Sequence, residues 1–102
     1  MGRPVTQRKA KIKLLPWDVV DHLDSEEAIV GYLNAVLEEE DQALLMAALG
    51  DVARAKGMTQ VSRDTGLGRE SLYKALSLQG NPEFATVQKV LGSLGLKLRV
   101  SV

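Results

Sequence analysis

Apolar and polar positions along this chain recur with two different periods. Ala28, Ile29, Tyr32, Leu33, Val36 and Leu37 fall at helical spacing, which predicts an amphipathic helix ending near Glu38. Residues 24–27 supply its start: Asp24 or Ser25 can cap, and Glu26 and Glu27 suit the positive end of the helix dipole. The acids Glu38, Glu39, Glu40 and Asp41 are badly placed at a helix C-terminus and well placed at the start of the next, so a junction is expected there. A second helix from about Asp41 to Lys56 turns Leu44, Leu45, Ala48, Leu49 and Val52 inward. Gly50 in its interior costs about 1 kcal/mol relative to Ala, which predicts close packing against a neighbour. Arg54 and Lys56 suit its last turn, and Gly57 ends it.

The chain is organised around residues 59–77. Val61, Ser62 and Thr65 share an inward face, Gly66 ends that helix, and Gly68 breaks the chain again. Leu72, Ala75 and Leu76 then form one stripe, with Glu70, Tyr73, Lys74 and Ser77 opposite and Arg69 on the flank. A helix, a tight glycine-containing turn and a second two-faced helix make the layout of a helix-turn-helix over residues 58–77, whose second helix lies in the DNA major groove. A turn over residues 79–82 leads to a last helix from about Glu83 to Leu94, with Phe84, Val87, Val90, Leu91 and Leu94 on its apolar stripe. Leu96, Leu98, Val100 and Val102 then alternate with polar residues, which predicts a strand over residues 96–102. Its backbone needs a partner: a strand at residues 11–14, its own copy in a dimer, or another chain. Between the two ends, Trp17 anchors one or two helical turns up to Leu23. The expected fold is therefore all-α, with about five helices and a short C-terminal β-strand. A single domain over residues 16–102 follows a basic arm at residues 1–15.

Composition narrows the chemistry. The 102 residues contain no Cys and one His, His22, which excludes disulfides, thiolate metal sites and a histidine-rich centre. No cofactor is expected, and an enzyme is disfavoured, since no phosphate-cradling glycine loop accompanies the isolated Gly66 and Gly68. No run of about 18 apolar residues exists, so a cytoplasmic protein without a membrane span is expected. The formal net charge of +0 hides a segregation. Residues 1–15 carry five basic residues and no acid, residues 16–53 ten acids and no Lys or Arg, and residues 54–102 eight basic residues against three acids. Such asymmetry points to one anionic and one cationic partner, with DNA the natural partner of the half that holds the helix-turn-helix.

Residues 57–76, Gly80, Asn81 and Pro82, and residues 84–87 resemble the addiction-module antidote proteins, HigA-like antitoxins with a lambda-repressor-like (XRE-type) helix-turn-helix. Residues 23–29, Tyr32, Leu33 and residues 47–55 are similar to the same family, so the likeness covers roughly residues 17–100. The resemblance implies a lambda-repressor-like domain whose second motif helix reads base edges. By position Arg69 would be bidentate to a guanine, Glu70 would accept from a cytosine amino group, and Lys74 would follow one turn on. Ser71 and Tyr73 would lie beside phosphates, with Thr59 and Gln60 offering backbone contacts; Asn81 and Arg63 are weaker phosphate candidates. Glu70 and Lys74 also stand at i and i+4, a spacing that stabilises a helix unaided. The basic arm is not part of the likeness; it is expected either as a solvated tail or as a segment that tracks phosphates or enters a minor groove.

The resemblance further implies a homodimer on a palindromic operator and neutralisation of a RelE/HigB-type toxin, a small basic ribonuclease. Glu38, Glu39, Glu40 and Asp41, with the first two helices, would meet that toxin by charge complementarity. Two other readings share the fold: a repressor without a toxin, and a protein-interaction module that no longer binds DNA.

Overall fold

The computed structural model describes residue 20 and residues 22–102. The described residues form five helices: α1 (Glu26–Leu37), α2 (Gln42–Lys56), α3 (Met58–Thr65), α4 (Arg69–Ala75) and α5 (Phe84–Ser93). Each sends one side chain to the centre, and Val36, Val52, Val61, Leu72 and Val90 all stand at 0% exposure. Burial of a side chain of this size contributes about 1.5–3 kcal/mol.

The helix ends follow local chemistry. The Ser25 hydroxyl accepts from the Ala28 amide at 3.1 Å, and the Asp41 carboxylate accepts from the Leu44 amide at 3.1 Å. Both acceptors satisfy first-turn amides that have no partner inside the helix. Asp41 is therefore the cap of α2 and lies just outside it. Glu40 reaches the cap through a left-handed φ of 54°, which makes the α1–α2 junction sharp. Lys56 and Arg54 close α2, and the Lys56 ammonium donates to the Ser93 carbonyl at the end of α5, where the dipole favours a cation.

α2 is the axis of the domain. Every residue from Ala48 to Ala53 is buried, so this stretch has no solvent face. α1 packs along α2, α3 lies against α2 and α5, and α4 touches α2 and α3. The approach of α4 explains Gly50. A Cβ placed there would strike the backbone carbonyl oxygen of Leu76, the residue that ends α4. The close packing expected at Gly50 is thus backbone against backbone.

Two expectations are corrected. The strand over residues 96–102 is not formed, and no strand occurs among the described residues. The α5 terminus takes up the start of that segment: Gly95, at φ 74°, donates to Gly92, and the Leu96 amide donates to the Leu91 carbonyl at 2.9 Å. This pair of bonds is the Schellman ending of a helix, with Leu96 folded back toward Leu91. Beyond it, alternation is present but no ladder partner is, and alternation alone cannot make a strand. Leu37 and Phe84, assigned by spacing to apolar stripes, are 47% and 62% exposed because they sit where their helices run past the core. The arm at residues 1–15, the strand expected at residues 11–14 and Trp17 lie outside the described residues; Val20 and His22 are helical.

Replacing Gly50 with Ala separates packing from helix propensity. Propensity alone would stabilise by about 1 kcal/mol. Overpacking against the Leu76 carbonyl should win, giving a net loss of about 1–3 kcal/mol in urea unfolding.

Candidate nucleic-acid interface

α3 and α4 are joined by a turn that satisfies itself. Gly66, at φ 75°, adopts the left-handed conformation and donates its amide to Ser62 at 2.9 Å. The Thr65 hydroxyl donates to the Val61 carbonyl at 2.8 Å and accepts from the Leu67 amide at 3.2 Å. The Ser62 hydroxyl donates to the Leu67 carbonyl, so its small side chain ties the helix to the turn as well as leaving room for it. The Gly68 carbonyl then accepts the Leu72 amide at 3.0 Å and opens α4.

α4 divides cleanly. Leu72 is fully buried and Leu76 nearly so, while Arg69, Glu70, Ser71, Tyr73 and Lys74 are exposed. Of the nine residues assigned to DNA, the five on α4 therefore share one exposed helical surface, and Arg63 is exposed on α3. Among the described residues Glu70 and Lys74 form no ion pair, although their spacing permits one.

The other three differ. Thr59 is exposed at the first turn of α3. Gln60 is half-buried, and its amide donates to Asp64 at 2.7 Å while its oxygen accepts from Arg63 at 3.4 Å. Asn81 is exposed and accepts from the Gln42 amide at 3.4 Å, joining the loop before α5 to the start of α2. Gln60 and Asn81 thus already hold internal partners.

In the acidic segment Glu38 and Glu40 are exposed, Glu39 is half-buried, and Asp41 is committed to capping α2.

Two polar clusters escaped the sequence reading. Asp51, one of the ten acids counted in residues 16–53, is buried; it accepts from the Tyr32 hydroxyl at 2.8 Å and pairs with Arg54. Burial first, and then the bond to Asp51 and its negative charge, raise the Tyr32 pKa well above the usual tyrosine range. Asp64 accepts from the Ser93 hydroxyl at 2.9 Å and from Gln60, and these two bonds lower its pKa below the usual carboxylate value. Ser93 thus joins α3 to α5 through its hydroxyl and α2 to α5 through its carbonyl. The Gln60–Asp64 spacing of four residues was a signal for half of this cluster; nothing local points to Ser93.

The described residues contain no group of three or more His, Cys, Asp or Glu able to hold a metal ion, and none of their helices is long and apolar enough to cross a membrane.

Comparison with known proteins gives the class. The family model described as "Probable addiction module antidote protein" matches residues 13–102, so the chain belongs to that family. A relative from Haemophilus influenzae (strain ATCC 51907 / DSM 11121 / KW20 / Rd), described as an uncharacterized protein, is 53% identical over 88 residues. The match covers 86% of this chain and 91% of the relative. No solved structure matches the chain. The family implies a toxin partner and a non-enzymatic role.

The raised Tyr32 pKa has a signed consequence. Its contribution to stability is complete below about pH 10, where the unfolded tyrosine is neutral, and falls as the pH rises toward the folded value. Between about pH 9 and pH 11, urea unfolding of the wild type should weaken more steeply than that of Tyr32→Phe. At neutral pH the variant should be less stable by about 1 kcal/mol, the worth of the lost hydrogen bond.

Proposed function

We propose that this antidote protein is an antitoxin and autorepressor, with a lambda-repressor-like helix-turn-helix formed by α3 and α4. It binds its own operator as a homodimer and neutralises a RelE/HigB-type toxin in the cytoplasm. The observation that carries the DNA reading is α4 itself. Its polar surface stands clear of the core, and Leu72 and Leu76 hold the opposite side down. Arg69 offers a planar fork to a guanine, and Glu70 an acceptor to a cytosine amino group; a good base contact of this kind is worth about 1–3 kcal/mol. Lys74, one turn on, meets a further base edge, and Ser71, Tyr73 and Thr59 supply hydroxyls to the flanking backbone. Gln60 acts mainly within α3, through Asp64, and Asn81 by joining the loop before α5 to the start of α2. A two-fold dimer would present two copies of α4 to half-sites about one helical turn, roughly 34 Å, apart.

The toxin is met on the other half. Residues 22–50 carry seven acids and no Lys or Arg, a surface complementary to a small basic ribonuclease, with Glu38, Glu39 and Glu40 in one run and Asp41 shaping the junction.

Arg69→Ala combined with Lys74→Ala should abolish retardation of the protein's own promoter fragment at about 150 mM salt and reduce the salt dependence of residual binding. The melting temperature should stay within a few degrees of wild type, because both side chains are exposed. A double variant that still shifts the fragment with wild-type affinity would show that α4 is not the reader.

A further inference from the structure

A groove of about 140 Å³ opens between α1, α2, α5 and the C-terminal tail, with Val30, Leu37, Leu45 and Leu98 among its walls. Leu37 and Leu45 also line a second hollow of about 230 Å³, bordered by Glu40 and Asp41. Val30 and Leu37 are about half exposed, and in the tail Leu98 is more than half exposed and Val100 almost fully. Among the described residues, no backbone hydrogen bond holds the tail beyond the Leu96 amide. An open apolar groove beside an unheld apolar segment marks an interaction surface.

Charge selects the occupant. Glu26 and Glu27 stand one turn before Val30 on α1, and Glu40 lies beyond Leu37; no Lys or Arg occurs anywhere in residues 16–53. The tail has the opposite character, with Lys97 and Arg99 alternating with Leu98 and Val100. One chain therefore carries both an apolar groove, with acids on α1 before it and at the α1–α2 junction beyond it and its own Lys97 on the tail wall, and an apolar segment interleaved with cations.

We propose that the groove receives the tail of a second copy of this chain. Val100 of each copy would lie against Val30 and Leu37 of the other, with Arg99 directed to Glu26 and Glu27. The contact is two-fold, each copy giving one tail and one groove. From Leu98 to Val102 an extended chain spans about 13 Å, enough to leave its own groove and enter the other. This inference rests on the homodimer proposed above and supplies its contact face.

Sedimentation velocity of the full-length chain tests it, with helicity checked by circular dichroism. The wild type should sediment as a dimer at micromolar concentration. Val30→Glu and Val100→Glu, both at exposed positions, should each weaken the dimer about tenfold or more without loss of helix. Arg99→Glu, confined to the tail, should weaken it too, and added salt should loosen the wild type. A wild-type dimer unmoved by all three variants would overturn the tail-in-groove contact while leaving the dimeric repressor intact. A monomeric wild type would overturn both, and the groove would then belong to the toxin or to the chain's own residues 1–19.

Discussion

The middle of α2 has no side turned to water, and the other helices are placed by that fact. From Ala48 to Ala53 each position must be covered by a neighbour whose shape and polarity match it. Two positions are demanding. Gly50 admits the Leu76 carbonyl directly onto the helix backbone, so the end of α4 is located by main-chain contact rather than by side chains that could repack. Asp51, next to it, brings a carboxylate into the same buried zone and needs both Tyr32 and Arg54 to satisfy it. α1 is thereby fixed by a hydroxyl and α4 by a carbonyl, on adjacent residues of one helix.

Much of this was legible in the sequence. Helical spacing located all five helices to within a residue or two at each end, because caps such as Ser25 and terminators such as Gly66 act through their own backbone. The exposed surface of α4 was readable for the same reason: Leu72 and Leu76 define the buried stripe, and Arg69, Glu70 and Lys74 fall outside it. What escaped depends on distant partners. Asp51 reads as one acid among many until Tyr32 arrives from 19 residues away. Asn81 meets Gln42 across 39 positions, a separation no local rule spans. The terminal alternation was read correctly as a pattern and incorrectly as a strand, since a strand is a property of two segments and Leu96 is already taken by the end of α5.

Ser93 connects these levels. Its hydroxyl holds Asp64 of α3 and its carbonyl holds Lys56 of α2, so three helices converge on one residue at the point where the tail departs. The orientation of the tail's root is thus tied to α3, and through the turn to α4. The surface proposed to read DNA and the root of the segment proposed to join two copies are connected by a short chain of directed bonds.

The turn between α3 and α4 has one more consequence. Its hydroxyls, from Ser62 and Thr65, and its amides at Gly66 and Leu67 are committed to one another within the free chain. Fixing a flexible backbone residue costs about 1–2 kcal/mol, and a loop that orders only on contact loses that much per residue at the moment of encounter. This turn has already lost its freedom in folding. Whatever α4 meets, it meets with the turn before it already ordered, so no ordering cost of that turn is subtracted from the contacts it makes.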